Sequence, residues 1–385
     1  MKIAYIPQNN PYDKHSWSGT DYYVRKALEE QGLDVYCIYG FKPKYSLKDK
    51  VVRFWSRITR KRYDLNRTRN VSRQYAEFIT SRLKPDTDII FSLGTVQVAM
   101  LEVNIPIVIY VDGIFEQMRK FYKWNDLSIS SIKESNLVEQ TALDNCHDIV
   151  SCSIETANAI KKYYKIDENK MHIVPLGANW DYAPDKEKVI EGIKYRDPET
   201  CHILFVGVEW QRKGADIVLD TTKILHERGF SVHLDFCGLK SLPVKLPAYV
   251  TNYGFLNKDK PQELALLEKL YLNSHFLFVP SRAEAYGLVF CEASAYGLPS
   301  ISFREGGLTT IVKDDVNGKL FDLTTKPDTF ASYIIDTFND KRKYNKLCLS
   351  SIDRYNQLLN WGVAGLSLKQ IIANAVECDN NLGNI

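Results

Sequence analysis

Two glutamates eight residues apart, Glu284 and Glu292, and the adjacent cations Arg212-Lys213 are the residues of this 385-residue chain best suited to chemistry. Carboxylates accept paired hydrogen bonds from hydroxyls, and arginine grips phosphate through two parallel N–H groups. Between the glutamates, Gly287 stands where a loop turns into a helix. The first N–H groups of a helix lack carbonyl partners and suit an anion. A carboxylate repels phosphate, so Glu284 and Glu292 would hold uncharged hydroxyls beside it. Phosphate flanked by polyhydroxy contacts describes a nucleotide sugar. Taken one at a time, the same residues fit two solvated glutamates on an ordinary βαβ unit and a solvated basic loop. Two phosphate-suited loops in one half of the chain favour the ligand.

The elements that must position these residues alternate almost throughout. Strand-like apolar runs are expected at 3–6, 35–39, 89–93, 107–111, 149–152 and 173–175, with helical patterns at 21–31, 71–83, 96–103 and 131–146. A polar stretch with two prolines, 180–200, reads as a linker. Strands then recur at 203–206, 232–237, 250–253, 276–279, 300–303 and 319–321, with helices at 216–228, 262–273 and 288–296 and a helical tail over 330–376. Continuous apolar strands separated by helices predict α/β architecture, two doubly wound parallel sheets covered on both faces. In such sheets ligands sit beyond the carboxyl ends of the strands. That is where Arg212-Lys213, after strand 203–206, and Glu284, after strand 276–279, fall. In the first half, Gly19 before the helix at 21 reads as a glycine loop or as a turn residue.

Composition excludes several classes. A net charge of +3 is too small to imply a nucleic-acid partner, and no run of about 18 apolar residues predicts a spanning helix. The N-terminus lacks the long apolar segment of a secretory signal. Eight scattered cysteines without a Cys-x-x-Cys pair predict reduced thiols and a cytoplasmic protein.

With these residues in hand, the chain resembles the family 4 retaining glycosyltransferases of the GT-B fold (glycosyl transferases group 1), and the likeness runs over nearly the whole chain. Glu284-Ala285-Tyr286-Gly287-Leu288-Val289-Phe290-Cys291-Glu292-Ala293 is similar to the family's paired-glutamate motif. Gly297-Leu298-Pro299, Gly306-Gly307-Leu308, Ile311-Val312 and Asn317-Gly318 continue that signature. Val206-Gly207 followed by Arg212-Lys213-Gly214 is similar to its donor-phosphate loop, and Val174-Pro175-Leu176-Gly177-Ala178-Asn179 to the segment that closes its first domain.

The resemblance implies two Rossmann-like domains facing a central cleft. The first, 1–180, would bind the acceptor. The second, 181–350, would bind the nucleotide sugar, and a helical tail, 351–385, would cross back to the first domain. Arg212 and Lys213 would hold the donor diphosphate, Glu292 the ribose hydroxyls and Glu284 the transferred sugar. Backbone groups of Tyr286, Gly287, Leu288 and Val289 would meet diphosphate and sugar, and Gly207 and Gly19 would let their loops approach the phosphates. No cofactor or metal is implied, only a donor such as a UDP- or GDP-sugar. Residues near 237–238 and 253–256 would line the base pocket by position, which leaves uracil, guanine and adenine all open. Replacing Lys213 by alanine is expected to cut turnover far more than stability.

Two departures stand out. Where family members often carry a histidine after the fourth strand, this chain has Asp112. It would orient an acceptor hydroxyl or help take its proton, or cap the helix starting near Ile114. Val208 stands where many members have an arginine, which leaves more of the phosphate charge to Arg212 and Lys213. Asp86-Thr87-Asp88 matches a metal motif of another glycosyltransferase fold but reads as a turn at the wrong end of a strand. The histidines show no metal-ligand spacing; His172, His202, His233 and His275 read as structural, while His147 sits at a helix end before a strand.

The segment 42–73 concentrates lysine and arginine around Val51, Val52, Phe54, Trp55 and Ile58. It fits an anionic membrane surface, an acidic acceptor or nucleic acid, or a solvated helix whose apolar stripe packs on the sheet. Within a glycosyltransferase, a membrane or lipid-linked acceptor is the economical reading of this segment; the enzyme's acceptor would be a saccharide or lipid-linked molecule, and no nucleic acid is expected. The competing functions are a nucleotide-sugar epimerase or phosphorylase of the same fold, and a non-catalytic nucleic-acid or lipid binder using this segment.

Overall fold

The computed structural model describes residues 1–382; residues 383–385, the end of the expected tail, and the side chains of Arg57 in the basic segment and of residues 379–382 lie outside the described residues. The chain forms two compact units, Met1–Pro175 with the chain from Trp361 onward, and Leu176–Asn360.

In the first unit the order is β1 (Lys2–Ile6), α1 (Thr20–Glu30), β2 (Asp34–Cys37), α2 (Leu47–Ile58), α3 (Arg69–Thr80), β3 (Ile89–Ser92), β4 (Ile107–Val111), α4 (Phe115–Phe121), α5 (Ile129–Asn145), β5 (Asp148–Ser151), α6 (Ile154–Tyr163) and β6 (Met171–Ile173). The six strands make one parallel sheet in the order β2-β1-β3-β4-β5-β6. Every residue of β3, β4 and β5 is buried, which is why those strands read as unbroken apolar runs. The helix expected over 96–103 is instead a set of turns. The Asn145 amide donates to the carbonyls of Val98 (2.9 Å) and Leu101 (2.7 Å), so these groups find partners without a helical ladder.

The second unit runs α7 (Lys186–Lys194), β7 (Cys201–Val206), α8 (Ala215–Glu227), β8 (Val232–Cys237), β9 (Val250–Asn252), α9 (Pro261–Asn273), β10 (Phe276–Phe278), α10 (Leu288–Ala295), β11 (Ser300–Phe303), α11 (Leu308–Ile311), β12 (Gly318–Phe321), α12 (Pro327–Asn339) and α13 (Lys341–Gln357). Its parallel sheet has the order β12-β11-β10-β7-β8-β9. The stretch 180–200, expected as a linker, carries α7 inside this unit. Asp185 caps that helix by accepting from the Lys188 N–H at 3.0 Å.

The last helix, α14 (Trp361–Leu382), belongs to the first unit and packs on α1. Trp361 stacks on Tyr23 with ring centroids 6.1 Å apart, and Gly365 lies so close to α1 that a Cβ there would stand 2.8 Å from the Ala27 carbonyl oxygen. Among the described residues no helix is long and apolar enough to cross a membrane.

Candidate functional site

In the second sheet β7 is flanked by β10 and β8, so the strand order reverses at β7 and opens a crevice beyond the carboxyl ends of β7 and β10. The loops after these two strands are the ones that carry Arg212-Lys213 and Glu284. They are zipped together. The Arg282 N–H donates to the Arg212 carbonyl at 2.8 Å, and the Arg282 guanidinium forks onto Asp216 at 2.8 and 2.7 Å. Gly214 begins α8 with φ 75°, and a Cβ there would stand 2.3 Å from the Pro280 carbonyl oxygen. Only glycine permits both that dihedral and that approach, and the approach is what sets Lys213 beside Glu284.

The Lys213 ammonium donates to Glu284 Oε2, which also accepts from the Ser281 hydroxyl at 3.1 Å. Both charged residues are nearly out of water, 9% and 8% exposed. The expectation that Lys213→Ala would spare stability is therefore revised, because the substitution leaves a buried carboxylate without its cation. Arg212 lies nearer the surface. It donates through Nε and Nη2 to Glu209 Oε1 (2.8 and 2.6 Å) and through Nη1 to the Ala283 carbonyl (3.0 Å). Its hydrogen bonds hold the Glu209 carboxyl below the usual range. Each cation of the pair thus has a carboxylate partner that the one-dimensional pattern did not reveal. Gly207 donates its N–H to the Cys237 carbonyl at 2.9 Å and ends β7 against the lysine stem.

Gly287 starts α10 at φ 106°, the left-handed region that favours glycine, and a Cβ there would meet Leu308 Cδ2 at 2.7 Å. Leu288 and Val289 then form the first turn of α10, where N–H groups have no preceding helical carbonyl. The Tyr286 side chain faces inward, its hydroxyl donating to the Leu176 carbonyl at 2.9 Å. The loop is braced from behind by the Gly307 N–H on the Ala285 carbonyl at 3.1 Å.

Glu292, one turn further along α10, is 5% exposed and accepts from the Lys258 ammonium (2.6 Å) and the Tyr271 hydroxyl (3.1 Å). Burial, with this carboxylate alongside, pushes the Tyr271 phenol well above its ordinary value. Lys258 also donates to the Asn179 carbonyl at 3.0 Å and lies 4.3 Å from the Trp180 ring centroid. Sequence reasoning missed Lys258 and Tyr271. The one available signal for Lys258 was a lysine just beyond β9, at the same carboxyl edge. The stretches 237–238 and 253–256 also lie at that edge, where Asn252 Nδ2 donates to the Leu239 carbonyl at 3.2 Å.

The far end of α10 is held by a residue that sequence reasoning left in a linker. Arg196 is buried and donates to the carbonyls of Tyr296 (2.9 Å), Gly297 (3.1 Å) and Leu272 (2.9 Å) and to the Tyr344 hydroxyl (2.7 Å). A cation there complements the carboxyl ends of α9 and α10.

In the first unit, Gly19 at φ 81° follows two further left-handed residues, Trp17 and Ser18, and opens α1. The buried Asp21 carboxylate accepts from the Gln8 N–H (2.8 Å) and from the Asn9 N–H (3.1 Å) and amide (3.0 Å), tying the loop after β1 to α1. Asp112 follows β4. The helix after it is N-capped at Ile114, whose N–H donates to Gln117 Oε1 at 3.4 Å, so Asp112 is not the cap. Burial, with Asp21 adding repulsion, pushes its carboxyl up to about 6.

The discounted signals lie at the amino edges. Asp88 accepts from the Lys2 N–H at 2.7 Å, and Asp86 pairs with the Lys2 ammonium. His147 and His172 both bond Asp148, at 2.8 and 2.7 Å. His275 accepts from the His202 N–H at 3.0 Å, and burial pushes its ring down to about 3, so it stays neutral.

Known proteins resemble this chain in sequence and in fold. A model described as glycosyl transferases group 1 matches residues 190–348, and one described as glycosyltransferase family 4 matches residues 22–182. A D-inositol 3-phosphate glycosyltransferase of Corynebacterium aurimucosum is 26% identical over 259 residues, 63% of this chain. The match spans 60% of that relative's own length. Sucrose-phosphate synthase from Thermosynechococcus elongatus superimposes with a TM-score of 0.69 at 17% identity, over 98% of this chain and 100% of that one. The Anabaena protein HepE, solved with UDP-glucose, gives 0.63 at 13% identity, over 97% and 100%. These likenesses show the GT-B fold. With both family models matched in sequence order and the two doubly wound sheets to carry them, the chain belongs to the group 1, family 4 glycosyltransferases.

Proposed function

We propose that the chain is a retaining hexosyltransferase that moves a sugar from a nucleotide-sugar donor to a hydroxyl of a saccharide or lipid-linked acceptor, with no metal ion. The observation that carries this reading is the buried Lys213–Glu284 pair, set on adjacent loops at the point where the second sheet reverses its strand order. A surface binder has no use for two charges held out of water. Donor binding exchanges partners: Lys213 turns from Glu284 to the diphosphate, and Glu284 is released to the hydroxyls of the transferred sugar. Arg212 adds a second cation, the N–H groups from Gly287 to Val289 meet the phosphates, and Glu292, oriented by Lys258 and Tyr271, takes the ribose.

The acceptor oxygen attacks the anomeric carbon from the face the diphosphate leaves. The carbon–oxygen bond to the diphosphate breaks as the new glycosidic bond forms. The acceptor proton passes to a departing diphosphate oxygen, whose growing charge Arg212 and Lys213 neutralise. The two-carboxylate scheme of glycosidases is not used. None of the eight cysteines forms a disulfide among the described residues, which supports work in a reducing compartment. The basic segment 42–73 brings the chain to an anionic membrane surface where a lipid-linked acceptor resides.

A thermal-shift screen with UDP-, GDP- and ADP-glucose tests the assignment. One of them is expected to raise the melting temperature selectively, since ligand at about 100 times its Kd adds roughly 2.7 kcal/mol. If no nucleotide sugar stabilises the protein, the reading fails.

In this reading Asp112 orients the acceptor hydroxyl and must be ionised to accept that bond. Transfer is expected to fall as pH drops through about 6, where its carboxyl protonates. Asp112→Asn is expected to lose that limb and on the order of tenfold in kcat at neutral pH, because the diphosphate remains as base. Stability runs the other way. A carboxyl raised in the folded state contributes stability that is complete below its ordinary pKa and is lost as pH rises through about 6. An identical acid limb in Asp112→Asn removes Asp112 from this role.

A further inference from the structure

The apolar residues of α2 do not pack on the sheet. Leu47, Val51, Phe54, Trp55 and Ile58 follow the spacing of one helical face, and each is between 54% and 79% exposed. The helix itself is firmly held. Ser46 and Asp49 cap its start reciprocally, with Ser46 N–H on Asp49 Oδ2 at 2.6 Å. The segment entering it is pinned by Gln74, which exchanges bonds with the Lys44 backbone at 2.8 and 3.0 Å. The segment leaving it is pinned where the Arg62 N–H donates to the Asp126 carbonyl (2.7 Å) and the Arg62 carbonyl accepts from the Ser128 N–H (2.8 Å). An ordered helix with a bare aromatic face calls for a cover.

We infer that α2 docks in the plane of an anionic bilayer surface, burying the Leu47, Val51, Phe54, Trp55 and Ile58 face while Lys48, Lys50 and Arg53 meet lipid phosphates. Charge decides the occupant. Lys48 and Lys50 border the apolar face, Arg53 lies further round the helix, and the helix's one acid, Asp49, is spent on the cap. A second copy of the chain paired symmetrically through this face would bring like charges together. An interfacial helix with aromatics on one face and cations on the other has the matching chemistry.

The inference deepens the acceptor half of the proposed function and rests on it for its meaning, though not for its test. The carboxyl ends of β1 and β2 border a cavity of about 430 Å³ whose wall includes Gln8, Asn9, Asn10, Tyr39, Phe41 and Tyr75. Amides and aromatic faces suit a saccharide, and α2 begins six residues after Phe41, within about 20 Å of chain. The substrate class this favours is a lipid carrying a saccharide head.

The test is sedimentation with vesicles of phosphatidylcholine, with and without phosphatidylglycerol. The wild-type protein is expected to pellet only with the anionic vesicles, and less as salt rises. F54E/W55E is expected to lower partitioning at least roughly tenfold, a change of about 1.4 kcal/mol, and K48E/K50E/R53E to abolish the lipid-charge dependence. Wild-type protein that stays in solution, or variants that pellet equally well, overturn the proposal. So does a wild-type dimer, measured by light scattering, that F54E/W55E converts to monomer, since the face then belongs to a second copy. The nucleotide-sugar melting shift is measured on the same proteins and is expected to be unchanged by these substitutions. If that shift is absent while vesicle binding persists, the donor assignment falls and the docking stands.

Discussion

Lys213→Ala is expected to lower transfer roughly 10²- to 10³-fold, the usual cost of removing one preorganised group that stabilises developing negative charge. It is also expected to lower stability by roughly 3–5 kcal/mol, the range for stripping the partner from a buried charge. The second effect follows from burial. Lys213 and Glu284 are 9% and 8% exposed, and without the ammonium only the Ser281 hydroxyl remains on Glu284 Oε2. The Lys213→Ala/Glu284→Ala double variant separates the two effects. It removes both charges, so it is expected to recover much of the lost stability while remaining as inactive as the single variant. Initial rates of sugar transfer and urea unfolding of the wild type, both single variants and the double give the full cycle. Near-normal transfer by Lys213→Ala sinks the role assigned to the lysine. A double variant no more stable than the single one means that the pair is not coupled.

The second large effect is expected far from the reacting atoms. Arg196→Ala removes a buried guanidinium that ties the carboxyl ends of α9 and α10 to α13 through Leu272, Tyr296, Gly297 and Tyr344. The buried carbonyls of Tyr296 and Gly297 and the half-buried one of Leu272 would lose their donor. Unsatisfied buried groups cost about 1–3 kcal/mol each before relaxation, so a net loss on the order of 4 kcal/mol is expected. For a unit of this size that corresponds to a melting temperature lower by roughly 10 °C. Arg196→Lys keeps the charge but not the planar fork, and is expected to fall between the two. Because α10 carries Gly287 at one end and Glu292 in its middle, donor affinity is expected to drop with the helix anchor while the acid limb near pH 6 stays in place. Differential scanning calorimetry decides the matter: a melting temperature within about 2 °C of wild type would show that the Arg196 network contributes little.

These two residues mark the limit of what a linear pattern reveals. Arg212-Lys213 and Glu284 were legible because each follows an apolar run, and a residue's place after a strand fixes it at the carboxyl edge of a parallel sheet. Gly287 was legible for a similar local reason, since a helix starting directly from a tight loop needs a left-handed residue. The strands of both sheets and the helices around them followed from periods of two and 3.6, which the backbone itself imposes. Where local order misled, a distant partner was responsible. The run 96–103 has helical spacing, but the Asn145 side chain satisfies its carbonyls from α5. The stretch 180–200 looks like a connector because it is polar, yet its arginine is the best-bonded cation of the second core.

The sequence alone determined the two-sheet α/β architecture, the loops that bear the candidate site and the family likeness, because each depends on residues close together along the chain. Only the tertiary structure decided which charges meet. Lys213 finds Glu284 across 71 residues, Lys258 finds Glu292 across 34, and Arg196 reaches Tyr344 across 148. It also decided that the apolar face of α2 is bare rather than packed. The physical reason is the same in each case. A buried charge is stable only when a partner of opposite sign or matching dipole arrives in place, and which residue arrives is set by strand order and helix packing rather than by its neighbours in sequence.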